Sequence, residues 1–182
     1  MDFNHVFKLR RTIHDFNSKV VPYDSVKRAI EAANLAPCHR LTFPWRFKNI
    51  RKDKRERLFE ISFKIKQKNG KLSEDMKKKL YSKLMKPSHL IVVSQIKHGD
   101  SKIESENYAA CSCSIQNMML SLANEGIGSK WSTGKVIEDN ETYKAIQINS
   151  DKETIIGFIY IGYGKMPPKI KRPKLSLILN EI

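Results

Sequence analysis

Residues Thr154–Ile161 read TIIGFIYI, an apolar run that contains one glycine and no charge. Its β-branched and aromatic side chains favour a strand, and the run is too short for an ordinary helix. A strand with one face in solvent would place a polar residue at every second position, and none occurs from Ile155 onward. The sequence therefore predicts a central strand that is buried on both faces.

Shorter segments upstream predict the remaining strands. They are Pro44–Ile50, Leu90–Val93 and a short extended piece at Trp131–Gly134. Between these segments, apolar residues recur at the spacing of helices. The predicted helices are Asp2–Arg11, a helix capped by Asp24 and ended by Pro37, two basic helices on either side of Asn69-Gly70, the long Glu104–Asn124, and a small one near Asp139–Ile146. Few strands separated by helices indicate an α+β fold, a small sheet packed among helices, in a single domain over residues 1–182.

The charge of the chain raises the question of a polyanionic partner. Lysine and arginine number 34 against 19 acidic residues, a net charge of +15, which is typical of nucleic-acid-binding proteins. In the basic span Lys48–Lys86, however, the cations alternate with apolar residues such as Leu58 and Ile61 at helical spacing. That pattern favours the solvated side of amphipathic helices over a nucleic-acid footprint. Nucleic acid is therefore the less favoured partner.

The location of the protein is predicted from what the sequence lacks. No apolar run approaches the ~20 residues that cross a bilayer, and the N-terminus does not resemble a secretory signal. The three cysteines, Cys38, Cys111 and Cys113, cannot all pair within the chain, so reduced thiols are expected. We expect a cytoplasmic protein without a membrane partner.

The common catalytic motifs are missing from the sequence. It has no phosphate-binding P-loop and no nucleophile elbow, and Gly126-x-Gly128 lacks the third glycine of a dinucleotide-binding fingerprint. The five histidines are scattered without the spacing of metal ligands. Any chemistry must then arrive with a cofactor.

Three local groups of residues are candidates for holding such a cofactor. Arg10-Arg11-Thr12 offers two guanidiniums and a hydroxyl to a phosphate, or simply places cations at a helix C-terminus. His39 follows Pro37-Cys38 just before Pro44-Trp45, and alone it is more typical of a structural histidine. Trp131-Ser132-Thr133-Gly134 offers an indole, hydroxyls and backbone donors to a flat heteroaromatic ligand, or contributes Trp131 to the core.

Taken together and in order, these motifs resemble the nitroreductase family, nearest to its small YdjA-like branch. The resemblance covers roughly residues 8–174. The matching segments are Arg10–Phe16, Val21-Pro22, Ala32–Pro37, Pro44–Phe47, Gln116–Leu120, Gly126–Trp131 and Ile156–Tyr163.

The resemblance implies a nitroreductase-like fold, with a small and mostly antiparallel central sheet flanked by helices. It also implies an intertwined homodimer with FMN at each subunit interface. The implied FMN ligands are Arg10, Arg11, Thr12, Trp131, Ser132, Thr133 and Gly134, with Lys171 and Arg172 near the phosphate, and with Leu35 and His39 reaching the flavin of the partner subunit. Residues Leu120–Glu125 fall where the nicotinamide donor is placed in this branch.

The implied activity is that of an FMN-dependent NAD(P)H oxidoreductase. Hydride moves from the nicotinamide to flavin N5 and then to a nitroaromatic, quinone or activated alkene, by a ping-pong mechanism without a protein nucleophile. The alternative is a catalytically silent basic module that binds nucleic acid or another polyanion. The sequence departs from the family pattern at Cys38, where Ser or Asp is usual, at Phe43 in place of Gln, and mildly at Thr12 in place of Ser.

Overall fold

A sheet of four antiparallel strands lies at the centre of the fold, as predicted. The computed structural model describes residues 3–68, 70 and 72–182. Within these residues the strand order is β1-β2-β4-β3, and every neighbouring pair is antiparallel. The strands are β1 (Trp45–Asn49), β2 (His89–Ile96), β3 (Gly128–Ser132) and β4 (Glu153–Gly162).

The TIIGFIYI segment forms β4, between β2 and β3. Its side chains alternate between two hydrophobic clusters, with Ile159 and Ile161 in one and Phe158 and Tyr160 in the other. All four are at most 2% exposed. Burial on both faces is therefore confirmed, and it explains why the run contains no charged residue.

Helices cover both faces of the sheet. The helices are α1 (Phe3–Leu9), α2 (Tyr23–Asn34), α3 (Lys52–Gln67), α4 (Glu74–Met85), α5 (Ser101–Asn124) and α6 (Asn140–Ala145). Helices α2 and α5 pack on the Ile159 face, whereas α3 and α4 supply Leu58 and Leu84 to the Phe158 face. Within the described residues, no helix is both long enough and apolar enough to cross a membrane.

The predicted amphipathic pattern of the two basic helices is confirmed. Helix α3 buries Leu58 and Ile61 and exposes its lysines, and α4 buries Leu80 and Leu84. Arg55 on α3 is an exception, because its buried guanidinium donates to the carbonyls of Ile50, Pro87 and Ser88. Burial lowers the pKa of Arg55.

Some predicted boundaries were wrong. The first helix ends at Leu9 rather than Arg11, because the Ile13 N–H donates to the carbonyl of Ser129 and the chain becomes extended. Asp24 does not cap α2, which begins one residue earlier, and instead pairs with Lys27. The predicted positions Asp2 and Asn69 lie outside the described residues.

Close backbone packing fixes the extended segment after α1 against the sheet edge. Thr12 pairs with Ser129 in an isolated parallel bridge. A Cβ on Gly128 would lie 2.5 Å from Ile13 Cγ1, so only glycine allows the segment to approach so closely. This packing places Arg10 and Thr12 beside the edge strand β3.

Candidate functional site

A cleft of about 460 Å³ opens beside β3 and α5. Four of the predicted ligands line it, namely Arg10, Thr12, Trp131 and Thr133. Three further residues from α5 complete its wall: Tyr108, Gln116 and Met119. The fold therefore joins two groups of predicted residues that are more than a hundred positions apart in the sequence.

Cations gather at one side of this cleft. The pKa of Arg10 is lowered, first because its guanidinium is partly buried and then because Arg172 and Arg11 lie nearby. Among the described residues, none of these three guanidiniums forms an ion pair with a carboxylate. Partly buried cations without counter-charges are suited to an anionic ligand such as a phosphate.

The tail meets this side of the cleft through Arg11 and Arg172. Arg11 Nη2 donates to the Pro168 carbonyl over 2.5 Å. Of the two predicted tail ligands, Arg172 is the one whose charge acts on Arg10. Lys171 lies beside Arg172 in the exposed tail.

Trp131 is both a core residue and a wall of the cleft, so the two alternatives for it are compatible. Its indole packs on the α5 side of the sheet, and Nε1 donates to the Ile156 carbonyl over 3.3 Å. A Cβ on Gly157 would lie 2.2 Å from Nε1. Gly157, the glycine inside the TIIGFIYI run, therefore leaves the space that the Trp131 indole occupies.

Ser132 points away from the cleft, because successive residues of a strand face opposite sides. Its hydroxyl accepts from Lys83 Nζ over 3.3 Å, and Lys83 lies over the Tyr160 ring at 5.4 Å from the centroid. Burial, with smaller contributions from Lys130 and Lys66, lowers the pKa of Lys83 to about 8. Sequence reasoning missed this lysine, which adds positive charge directly behind the cleft.

Lys130 and His14 extend this second group of cations. Lys130 Nζ lies 3.1 Å from His14 Nδ1, so the ammonium donates to a neutral imidazole. The pKa of His14 is lowered, first by Lys130, then by burial and Lys83, and burial lowers the pKa of Lys130. No carboxylate within the described part of the chain forms an ion pair with any of the three.

The remaining predicted ligands lie away from the cleft of their own subunit. Leu35 is 82% exposed just after α2. His39 is exposed in the following turn, with Nε2 3.9 Å from Glu106 of α5. Gly134 precedes a short 3₁₀ turn and does not line the cleft. For Leu35 and His39 this placement is compatible with contact to a partner subunit, which stays a prediction.

A second, smaller cavity of about 230 Å³ adjoins Arg10 on its other side. It is lined by Arg10, Arg11, Ala123, Gly126 and Met166, among others. Its position next to the end of α5 brings it close to Leu120–Glu125, the segment predicted for the nicotinamide donor.

The residues that the sequence analysis missed share one helix face. Tyr108, Gln116 and Met119 are separated by eight and three positions, which brings them to the same side of α5. Gln116 and Met119 lie in the segment that matches the family's central helix, so the resemblance contained a signal for them. Tyr108 had none.

The site contains the donor set for a phosphate-bearing flat ring. The Arg10 guanidinium lies at one end, with Arg11 and Arg172 close enough to act on its charge. Hydroxyls, an amide and an indole line the wall, and further ammonium groups lie behind β3. Across the described residues, no group of His, Cys, Asp and Glu side chains is arranged to hold a metal ion. These side chains fit FMN, which combines a dianionic phosphate with a flat ring rich in hydrogen-bonding atoms.

The comparison with known proteins agrees with this geometry. The model of the nitroreductase family matches residues 8–163. The chain belongs to the nitroreductase family. YfhC of Bacillus subtilis, whose name assigns it provisionally to the NAD(P)H nitroreductases, is 29% identical over 92% of this chain and 87% of its own length. YdjA of Escherichia coli, named in the same way, is 22% identical over 76% of this chain and 75% of its own.

Solved structures of the nitroreductase family share the fold. A nitroreductase-like protein of Bacillus cereus superposes with a TM-score of 0.85 at 24% identity, over 100% of this chain and 96% of that one. A nitroreductase-type protein of Desulfovibrio desulfuricans, solved in complex with FMN, gives a TM-score of 0.78 at 19% identity over the same shares. The predicted family and fold are thus confirmed.

Proposed function

We propose that the protein is an FMN-dependent NAD(P)H oxidoreductase that works as a homodimer. The observation that carries this proposal is the cleft between α5 and β3, which Arg10 lines together with Thr12 and Trp131. The charges of Arg11 and Arg172 act on Arg10, and among the described residues no carboxylate pairs with any of the three. Membership of the nitroreductase family and the names of the two relatives support it.

The phosphate end of the cofactor would be held by the guanidinium cluster. Arg10 is already partly desolvated, so its hydrogen bonds to a dianion gain strength from the low local dielectric. Arg11 and Arg172 add charge from the segment after α1 and from the tail. The hydroxyl of Thr12 offers one more donor in the same cleft.

The ring end would lie against Trp131 and Thr133. The indole is fixed by Gly157 and by its bond to Ile156, so it presents a rigid wall rather than a mobile side chain. Lys83 and Lys130 place positive charge behind this wall. Such charge stabilises an electron-rich ring and so favours its reduced form.

FMN, when bound, would supply hydride transfer between NAD(P)H and an organic acceptor. The two substrates would use the same site one after the other, which gives ping-pong kinetics. The side chains of the cleft bind and orient, and none of them is arranged as a nucleophile. An open, half-apolar cleft with Tyr108 and Met119 in its wall suits flat acceptors such as nitroaromatics, quinones or activated alkenes.

Arg10→Ala tests the placement of the phosphate. Loss of a charge-assisted hydrogen bond should weaken FMN binding by about 1.5–3 kcal/mol, roughly ten- to hundred-fold in Kd. Titration of apo-protein with FMN, followed by quenching of flavin fluorescence, measures the change. Arg51→Ala is the matched control, because that side chain is 89% exposed and forms an ion pair with Asp53 on the surface. If Arg10→Ala binds FMN as tightly as wild type does, Arg10 does not bind the phosphate.

The basic-module hypothesis makes a different prediction. It requires tight, salt-dependent binding of DNA or RNA and assigns no role to the cleft. The lysines of α3 and α4 are interspersed with Asp and Glu along the same helices, which is typical of a solvated face. A gel shift across a salt series would favour the module if nucleic acid bound more tightly than FMN at high salt.

A further inference from the structure

The turn between α2 and β1 has an unusual backbone. Three of its residues have positive φ angles without being glycine: Arg40 at 58°, Leu41 at 52° and Phe43 at 42°. L-residues rarely adopt this conformation, because Cβ crowds the backbone. Such a turn persists only where other contacts hold it.

The sulfur of Cys38 makes those contacts across the turn. The Phe43 N–H donates to Cys38 Sγ over 3.2 Å, and Thr42 Oγ1 lies 3.3 Å from the same sulfur. The Thr42 hydroxyl donates its only proton to Asn107 Oδ1 over 2.6 Å, so it cannot also donate to the sulfur. The thiol proton is directed at Thr42 Oγ1 or at the His39 carbonyl, which lies 3.6 Å from the sulfur. The thiol thus acts as donor and acceptor within the turn.

The turn is also anchored to α5, which provides one wall of the cleft. Asn107 is buried and holds Thr42, while Glu106 lies 3.5 Å from Arg40 Nε and 3.9 Å from His39 Nε2. These contacts hold the turn against α5. Within the turn, the hydrogen bonds of the Cys38 sulfur hold the path of the backbone.

We propose that Cys38 is a positioning residue, whose thiol holds the turn Cys38–Phe43 so that His39 reaches the flavin of the partner subunit. The inference rests on the proposed function and its homodimer, together with the predicted contact of Leu35 and His39 with the partner's flavin. It gives a role to the cysteine that stands where the family usually has Ser or Asp. Both of those residues can also accept a hydrogen bond from the Phe43 N–H.

Three variants separate this role from a general loss of stability. Cys38→Ala removes the hydrogen bonds of the sulfur, Cys38→Ser restores a donor and an acceptor, and Cys113→Ala removes an exposed thiol on α5, outside the turn. The first measurement uses apo-protein and native-state trypsin. Cleavage after Arg40 should be about ten-fold faster in Cys38→Ala, close to wild type in Cys38→Ser and unchanged in Cys113→Ala. Equal cleavage in Cys38→Ala and Cys113→Ala would show that the thiol does not hold the turn.

The second measurement asks whether the turn serves the flavin site. FMN affinity by fluorescence quenching and the KM for a quinone should both worsen several-fold in Cys38→Ala and recover in Cys38→Ser. A loosened turn with unchanged FMN affinity and KM would overturn the positioning role. Failure of wild-type protein to bind FMN would instead refute the proposed function, and the trypsin result would still report on the turn.

Discussion

At the level of single residues, the site contains cations that have no carboxylate partner among the described residues. Arg10 and Lys83 are both partly buried, and both have a lowered pKa in which burial is the largest cause. Burying a charge costs stability unless an opposite charge compensates it. The apo-protein therefore carries a destabilisation that a bound dianion would offset, which couples the stability of the fold to the presence of the cofactor.

Lys83→Met tests this coupling through pH. The pKa of Lys83 is lowered from 10.5 to about 8. Below pH 8 the ammonium is charged in both states and its burial cost is present in full. Between pH 8 and 10.5 only the unfolded chain keeps the proton, so wild-type stability rises with pH. Apo Lys83→Met should then unfold at a higher temperature than wild type at pH 7, with a difference that shrinks towards pH 10.

The same variant should behave in the opposite way towards the cofactor. FMN affinity should fall in Lys83→Met, because a positive charge behind Ser132 is lost. The exposed Lys79→Met, on the same helix, provides the control. A Lys83→Met protein that is less stable than wild type at pH 7 would show that the ammonium stabilises the apo-protein through Ser132 and Tyr160.

Sequence reasoning predicted residues with a local signature and missed those without one. Arg10-Arg11-Thr12 and Trp131–Gly134 are compact groups whose chemistry is visible in a few consecutive positions. Lys83 is one of many lysines in a basic span, and only the fold brings it to Ser132 and Tyr160. Tyr108 is likewise an ordinary exposed residue of α5 until the cleft forms beside it.

At the scale of elements, β3 and β4 act together to position the cleft wall. Trp131 on β3 pairs with Ile159 on β4, and its indole lies over Gly157, so the strand pair and the indole orientation depend on each other. The strand β4 was predicted almost to the residue because its run is apolar throughout. Strand β2 extends to Ile96, further than predicted, because Ser94 and Gln95 are buried polar residues that bond to Glu153 and Glu104. Such tertiary partners cannot be read from a local pattern.

Gly157→Ala should disturb this strand pair. The new Cβ would lie 2.2 Å from Trp131 Nε1, so the indole would have to move away from β4. We expect a loss of about 1–3 kcal/mol in the free energy of unfolding, measured with denaturant, and a red-shifted tryptophan emission. Trp45, the other tryptophan, is 4% exposed and should contribute little to the shift. In Gly134→Ala, whose Cβ would meet no atom within 4 Å, neither change is expected.

At the scale of the whole molecule, the exposed apolar residues indicate a partner surface. Leu35, Leu41 and Phe43 are exposed in or beside the turn between α2 and β1, and the tail adds further exposed apolar side chains. The exposed apolar residues of the tail are Met166, Ile170, Leu175, Leu177, Ile178, Leu179 and Ile182. A monomer rarely exposes so much apolar surface, and the proposed homodimer would cover it.

Sedimentation equilibrium tests the dimer. The full chain should have twice the 21.1 kDa mass of the monomer. Deletion of residues 169–182 keeps the Arg11–Pro168 bond but removes most of the exposed apolar tail. That truncation should raise the dimer dissociation constant by at least ten-fold. A full-length protein that stays monomeric at micromolar concentration would contradict the proposed two-subunit site.

In the proposed function, the cleft beside Arg10 and Trp131 holds FMN, and the loaded protein accepts electrons from NAD(P)H. The most direct measurement is the visible absorption spectrum of the purified protein, reconstituted with FMN and then treated anaerobically with NADH or NADPH. We predict a stoichiometric flavin spectrum that bleaches with the nicotinamide and recovers when a quinone or nitroaromatic is added. A protein that stays colourless after incubation with FMN, or a bound flavin that neither nicotinamide reduces, would contradict the account.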